Sequence, residues 1–191
     1  MRTERTAGFG FEAVVLATIA TIATFAALAT PCPARIFLAR DEALKLAFPD
    51  ADRVETRDVI LTVEQHKKIE ALAAAPLDSD LVTIYVGWKG TTPAAYAIFD
   101  THTVRTFPET FLVVISPEGA VVATHILAFH EPEEYMPSPR WLATFKDRKL
   151  GDDLKVGSGV VAITGSTLST HAVTSGIRRV LAVWNVVIGG K

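Results

Sequence analysis

The stretch that decides the fold spans residues 81–128 and reads LVTIYVGWKGTTPAAYAIFDTHTVRTFPETFLVVISPEGAVVATHILA. Four runs in it are rich in Val, Ile, Tyr and Phe and have the length of strands: 81–88, 94–100, 110–116 and 121–128. Turn residues, among them Gly90 and Gly119, separate some of the neighbouring runs. Such short connections predict antiparallel pairing, because a parallel crossover needs about a dozen residues or more.

Helices are predicted on both sides of this β-rich middle. Upstream, acidic residues open a short helix over 41–47, and a strand follows over 54–61. Thr62 and Gln65 then form a capping box that starts a helix running to about residue 75, which Pro76 ends.

Downstream, Ser138 and Pro139 are an N-cap and a first helical residue for a helix that carries Trp141. A brief extended run over 160–163 precedes a long helix from about residue 168 to about 189. These elements predict an α+β fold over residues 35–191, a single domain in which helices pack on one antiparallel sheet.

The N-terminal residues 1–34 have a different composition and are expected to form a separate segment. Arg2 and Arg5 precede an uncharged apolar run over 13–29, and Ala27-Leu28-Ala29 offers a small-x-small cleavage site. The run suits either the core of a signal peptide or a minimal membrane span. The sequence therefore predicts an export signal or membrane anchor, and the cleaved and retained forms stay open.

Charge and cysteine content exclude several classes of function. Lys plus Arg number 19 against 21 for Asp plus Glu, with a net charge of -2, which does not favour a nucleic-acid partner. The single cysteine, Cys32, excludes an intrachain disulfide framework and any multi-cysteine metal site. The chemistry must come from ordinary side chains or from a bound cofactor.

The segment Thr164-Gly165-Ser166-Thr167 combines hydroxyls with a glycine where a predicted strand gives way to the start of a helix. The first N–H groups of a helix lack internal partners, carry partial positive charge and suit a phosphate. These residues alone are also consistent with a hydroxyl-rich N-cap that binds no ligand.

The same segment resembles the Ser/Thr-Gly-Ala-Thr motif of the FMN-binding domain family, which includes FMN-carrying subunits of Rnf complexes and of sodium-translocating NADH:quinone reductases. Thr164, Gly165 and Thr167 match motif positions, and Leu168-Ser169 resembles the usual continuation. The resemblance extends, more weakly, to residues 126–132 and to Trp141, and it covers roughly residues 51–186.

The resemblance implies a flavoprotein in which FMN is joined to the Thr167 hydroxyl through a phosphoester that a flavin transferase makes from FAD. It also implies that Thr164, Gly165, Ser166, Leu168 and Ser169 contribute to the cofactor site. Two positions depart from the family pattern. Ser166 stands where the family usually has Ala, and Val161 stands where an Asp commonly precedes the motif.

Three residues in the resembling segment are further candidates for contact with FMN. Phe129 and Trp141 could stack on or edge the isoalloxazine, and Glu131 could bond the ribityl chain or the ring. His171, four residues after Thr167, could assist phosphate binding. The histidines at 102, 125 and 130 have no metal-ligand spacing, and no G-x-S-x-G elbow occurs, so we assign neither a metal nor catalytic residues.

The expected function is an electron-transfer carrier for a membrane redox system rather than a stand-alone enzyme. Its partners would be a flavin transferase and membrane redox proteins, with residues 1–34 in contact with the membrane if uncleaved. We expect it on the periplasmic or extracytoplasmic face of a bacterial membrane. The alternative, which Val161 favours, is a non-flavinylated interaction or assembly module at the membrane surface.

Overall fold

The computed structural model describes residues 35–151 and 153–190. The predicted N-terminal signal or anchor, with Cys32, lies outside these residues. The described chain is α+β, as predicted: one antiparallel sheet is packed by helices on both faces.

The sheet has six strands, of which the first is a two-residue addition at one edge. The strands are β1 (Arg35–Ile36), β2 (Arg53–Ile60), β3 (Leu81–Lys89), β4 (Thr92–Thr103), β5 (Pro108–Ile115) and β6 (Val121–Phe129). Their order is β1-β6-β5-β4-β3-β2, and every neighbouring pair is antiparallel. The antiparallel pairing expected from the short connections is therefore confirmed, and β1 closes the edge that β6 would otherwise leave open.

The helices are α1 (Arg40–Ala47), α2 (Val63–Ala73), α3 (Pro139–Leu142) and α4 (Thr167–Trp184). Two 3₁₀ turns, Glu133–Tyr135 and Ala143–Phe145, flank α3, and a π-helical turn, Asn185–Gly189, extends α4. The capping box of α2 is present, with the Gln65 amide donating to Thr62 Oγ1 at 3.2 Å. Ser138 caps α3 as expected, accepting from the Trp141 amide at 3.2 Å.

The alternation of side chains along the strands builds two hydrophobic layers. On β5, Phe111, Val113 and Ile115 belong to the larger core, which α2 and α4 cover, while Leu112 and Val114 face α1 on the other side. The central strand is apolar on both faces because both are covered.

Helix α4 lies in the larger core. Together with the π-helical turn it is long and apolar enough to cross a membrane, but 67% of the relevant window is buried within the fold. Its hydropathy is thus that of a core helix in contact with the sheet.

The prediction of a strand over 160–163 was wrong. Val160 forms only an isolated parallel bridge with Val156, and residues 161–163 pair with no strand. The segment is instead held by a hydrogen bond from Trp141, whose Nε1 donates to the Val161 carbonyl oxygen at 2.7 Å. The residues just before α4 are therefore positioned by a side-chain hydrogen bond and not by pairing with the sheet.

Candidate functional site

Thr167 is the first residue of α4, and the backbone before it turns sharply. Gly165 has a φ of 84°, in the left-handed region that glycine adopts without strain. The Ser166 amide donates to the Ile163 carbonyl oxygen at 3.0 Å and so closes the turn. The side chain of Thr167 is exposed at the position where the helix presents its unpaired amides.

The hydroxyls of Ser166 and Thr170, on either side of Thr167, form hydrogen bonds with the backbone. Ser166 is buried and its Oγ donates to the Glu134 carbonyl oxygen at 3.3 Å. The hydroxyl of Thr170, also buried, accepts from the Ile163 amide at 3.1 Å and donates to the Ser166 carbonyl oxygen at 2.9 Å. Ser166, the departure from the usual Ala, is consequently not an accessible competitor for Thr167.

A pocket of about 240 Å³ opens beside Thr167, and we refer to it as the Thr167 pocket. It is lined by the motif, by the turn after β4, and by the segment after β6: Val104, Arg105, Glu131, Tyr135, Gly165, Ser166, Thr167, Leu168 and Ser169. Most residues that were predicted to hold a cofactor are therefore brought together on one surface.

Ser169 gives this pocket an unsatisfied donor. The residue is 1% exposed, and its Oγ has no hydrogen-bond partner among the described residues. Buried hydroxyls are nearly always bonded, so an unpartnered one in a pocket wall is a feature typical of a ligand site. The helix N-terminus and this hydroxyl both suit an anion.

Glu131 holds the loop that forms the opposite wall. Its Oε1 accepts from the backbone amides of Arg105, Thr106 and Phe107 at 3.2, 2.8 and 3.0 Å. The Thr106 amide makes the largest contribution to lowering the pKa of Glu131, burial opposes it, and the other two amides and the Arg105 charge add to it. Glu131 is thus an ionised residue that shapes the pocket, with one oxygen committed to the loop.

The other predicted contacts lie away from the pocket wall. Thr164 is exposed in the turn, and Phe129 is buried in β6 opposite Glu109. Trp141 packs edge-on against Phe145 at 5.0 Å and anchors residue 161, as described above. His171 lines a different cavity, so the structure does not bring it to the pocket either.

Three residues that line the pocket, Tyr135, Arg105 and Val104, are not among the predicted site residues. From the sequence, Tyr135 is one of four aromatic candidates for stacking on a flavin, with Trp88, Phe129 and Trp141, and Arg105 could either help neutralise a phosphate or be an ordinary surface arginine. Both reach the pocket because the turn after β4 and the 3₁₀ turn after β6 meet at the start of α4. That meeting is a tertiary property with no local signal.

The histidines in the described ranges do not converge on a metal site. No group of three or more His, Cys, Asp or Glu side chains within residues 35–151 and 153–190 is arranged to hold a metal ion. His102 Nδ1 bonds Asp100 at 2.8 Å, His130 Nδ1 lies 2.9 Å from the Pro108 carbonyl oxygen, and burial lowers the pKa of His125.

The fold and the pocket define this chain as an antiparallel α+β domain with a small anion-suited site at the start of its longest helix. Neither the models of known protein families nor the curated proteins give a match to this sequence. The function proposed below is therefore inferred from the residues and geometry of the pocket.

Proposed function

We propose that this domain carries FMN through a phosphoester on Thr167 and serves as an electron carrier for a membrane redox system. The observation that carries the proposal is the contrast among the hydroxyls at the start of α4. Thr167 is exposed on the pocket wall, whereas Ser166 and Thr170 are buried and bonded to the backbone.

The attachment chemistry needs an accessible hydroxyl and stabilisation of a phosphate. In the proposed transfer, Thr167 Oγ1 forms a bond to the FMN-side phosphorus of FAD, the pyrophosphate bond breaks, and AMP leaves. The hydroxyl proton passes to a base of the flavin transferase. The first amides of α4, the Ser169 hydroxyl and Arg105 are the donors that would hold the product phosphate.

The size of the pocket indicates which part of FMN it would take. A volume of about 240 Å³ is below the roughly 300 to 1,000 Å³ of sites that bury most of a drug-sized ligand. The phosphate end therefore fits this pocket best, and the bound flavin would supply the redox chemistry. A covalent link keeps it in place where free flavin would diffuse away.

The surface near the motif suits contact with another protein. Val161 and Leu168 are 80% and 54% exposed, and Phe107, beside the loop held by Glu131, is 45% exposed. Exposed apolar patches mark interaction sites, so these three side chains are the ones proposed to contact a partner. The proposed partners are the flavin transferase during maturation and membrane redox proteins afterwards.

The decisive experiment is coexpression with a flavin transferase followed by in-gel fluorescence and intact-mass measurement. The wild-type chain should fluoresce after denaturation and gain the mass of one FMN minus water. Thr167→Ala should lose both signals, while the matched controls Thr164→Ala and Ser166→Ala should keep them. A wild-type band that stays dark in the presence of an active transferase rejects covalent attachment.

Val161 favours the second candidate, an interaction or assembly module at the membrane surface that carries no flavin. Its side chain is exposed, so Val161→Asp should be tolerated by the fold. If the missing carboxylate limits recognition by the transferase, Val161→Asp should increase the flavinylated fraction. A colourless wild type and a colourless Val161→Asp variant that both capture the same membrane protein would support the assembly module instead.

The proposed site of action is the extracytoplasmic face of a bacterial membrane, with residues 1–34 as signal or anchor. Fractionation of the full chain, compared with a chain that begins at residue 35, tests this. The full chain should be found in the periplasm or the membrane, and the shortened chain should remain in the cytoplasm.

A further inference from the structure

The two edges of the sheet differ in how they are protected. β1, at one edge, has two residues, whereas β2, at the other, has eight. The register between β2 and β3 is continuous over residues 53–60, without a bulge, and β2 contains no proline. Short strands, bulges and prolines are common means by which proteins prevent pairing at a sheet edge. β1 is short, but β2 has none of these three features.

The outward backbone groups of β2 face away from the sheet. The Leu61 amide donates to the Asp80 carbonyl oxygen at 2.8 Å. Because hydrogen bonds alternate between the two sides of an antiparallel strand, the odd-numbered residues of β2 bond β3 and the even-numbered residues direct their N–H and C=O groups outward. Among the strands of residues 35–151 and 153–190, only β3 pairs with β2. The outer side of β2 can therefore accept another strand.

The odd-numbered side chains of β2 carry charges of alternating sign at Arg53, Glu55 and Arg57. Trp88 orders them, since both guanidinium groups lie over its ring, at 4.6 Å for Arg53 and 5.6 Å for Arg57, and its Nε1 donates to Glu55 at 2.8 Å. Arg57 Nε also donates to Glu55 at 2.7 Å. The side chains of Glu55 and Arg57 are still 33% and 39% exposed, so each has room for a second partner of opposite charge.

The even-numbered side chains, on the other face, include two exposed apolar residues. Val54 is 45% exposed and Ile60 is 79% exposed. Asp58, between them, accepts from Thr83 Oγ1 at 2.6 Å. This face of β2 thus has apolar surface near both ends and its one charge bonded within the fold.

We propose that β2 pairs antiparallel with β2 of a second copy of this chain, around a two-fold axis beside Thr56. A symmetric dimer uses the same surface on both copies, and here the two sheets would join into one. This inference does not depend on the proposed flavin. A single strand edge makes a small interface, so we expect a weak, concentration-dependent dimer.

The charges select the position of the axis. An axis beside Glu55 would place the two Glu55 carboxylates opposite each other, and an axis beside Arg57 would do the same with the two Arg57 guanidinium groups. An axis beside Thr56 instead places each Glu55 opposite Arg57 of the second copy. Opposite charges across a strand pair stabilise it, and like charges destabilise it.

The same register suits both faces of β2. Glu55 and Arg57 of the second copy would be a pair without backbone hydrogen bonds between them, the kind in which side chains approach most closely. With the existing Glu55–Arg57 pair of each copy, they would form a closed ring of two carboxylates and two guanidinium groups. On the other face, Val54 and Ile60 of the second copy would be diagonal neighbours, within reach of each other.

The test is sedimentation equilibrium of the full chain, without a flavin transferase, from about 1 µM to about 1 mM, the range of weak complexes. Wild type should dimerise as its concentration rises. Glu55→Arg and Arg57→Glu each place like charges in both symmetric pairs and should raise the dimer Kd by about tenfold or more. The double variant Glu55→Arg/Arg57→Glu restores opposite charges and should return the Kd to within about threefold of wild type.

The matched control for charge is Glu134→Arg, an exposed position in the turn after β6, on the other side of the sheet. It makes the same charge change as Glu55→Arg and should leave the Kd unchanged. A double variant that associates no better than either single variant overturns the pairing of Glu55 with Arg57.

Thr56→Pro tests the backbone pairing directly. It removes an outward N–H at an edge position, where proline is tolerated, and should prevent association, whereas Thr56→Val should retain it. Circular dichroism checks that each variant folds, and the charge series decides the question if Thr56→Pro does not. A wild type that stays monomeric throughout overturns the proposal. So does a dimer that neither the single charge reversals nor a folded Thr56→Pro weakens, because another surface would then hold it.

Discussion

The two ends of α4 use polar side chains in opposite ways. At the N-terminal end, Thr167 is exposed and Ser169 has a buried hydroxyl without a partner. Toward the C-terminal end, Arg178 and Arg179 are buried and bonded to carbonyl oxygens and to Asp100. The arginines toward the C-terminal end thus form hydrogen bonds within the fold, whereas the hydroxyls of Thr167 and Ser169 at the N-terminal end remain available to a ligand. The comparison predicts that substitutions at the two ends separate stability from ligand binding.

The largest effect on stability is expected at Arg178. Its guanidinium donates to the carbonyl oxygens of Leu72 and Ala73 at the end of α2, and to those of Gly151 and Leu154. Arg178→Met keeps the apolar stem but removes the donor that these four carbonyl oxygens share. We expect a loss of about 3 to 5 kcal/mol in the free energy of unfolding, measured by urea denaturation.

The matched control for that variant is Arg140→Met on α3, which is exposed and should change stability by no more than about 0.5 kcal/mol. Equal losses of stability in the two variants would mean that the buried hydrogen bonds of Arg178 do not stabilise the fold more than an exposed arginine does.

The next effect is a pH dependence that arises at His102. Its folded-state pKa of about 9 exceeds the ordinary value of 6.5, so its stabilisation is fully present below about pH 6.5 and is lost as the pH rises through 9. The difference corresponds to about 3 kcal/mol at roughly 1.36 kcal/mol per pKa unit. Glu109, whose pKa is also raised, acts in the same direction from a lower pH.

Urea denaturation at several pH values between 6 and 10 checks this prediction. The wild type should lose stability across the window, and His102→Gln should flatten the curve. His171→Gln, at an exposed position of α4, should leave the slope unchanged. A wild-type curve without slope would mean that His102 is not held protonated by its neighbours.

A smaller effect is expected at Gly176, where α4 packs closely against the sheet. A Cβ at this position would lie 2.6 Å from Phe111 Cζ and 2.7 Å from Asp100 Oδ2. Gly176→Ala should therefore push the helix from β4 and cost about 1 to 3 kcal/mol in thermal or urea unfolding. Ser175→Ala, at the neighbouring position of α4, is the control, and an equal loss there would indicate a general helix effect instead.

The strands, the helix caps and the antiparallel order could be predicted because each has a local signal in residue alternation or turn chemistry. The environment of Asp100 could not be predicted, since a charged residue in a strand normally predicts exposure, and its partner Arg179 lies 79 residues away in the sequence.

The composition of the pocket could be predicted only in part, for the same reason. The predicted motif residues Gly165 to Ser169 line it together, but Tyr135 and Val104 join them only through tertiary packing. Conversely, Phe129 has the aromatic character of a flavin contact, and its position inside the sheet places it in the core.

A more local effect is expected at Glu131, on the wall of the Thr167 pocket. Glu131→Gln weakens the acceptor for three loop amides, at a local cost of about 1 to 1.5 kcal/mol. Hydrogen exchange at the Thr106 and Phe107 amides should accelerate by roughly tenfold, while core amides keep their rates. Because the pKa of Glu131 is lowered, the wild-type protection should persist above pH 4.5 and be lost as the pH falls through the folded-state value. Glu134→Gln, exposed in the next turn, should leave these amides unchanged.

The smallest effect on stability is predicted for Thr167 itself, the residue on which the proposed function depends. Its side chain is exposed at the first position of α4, so Thr167→Ala should change the free energy of unfolding by no more than about 0.5 kcal/mol. Thr170→Val, three residues further on, removes a buried hydroxyl that bonds both Ile163 and Ser166, and should cost about 1 to 2 kcal/mol by urea denaturation. Reversal of this order would place Thr167 among the structural hydroxyls. If the order holds, any loss of flavin in Thr167→Ala must come from the missing attachment oxygen, because the protein that lacks it is otherwise as stable as the wild type.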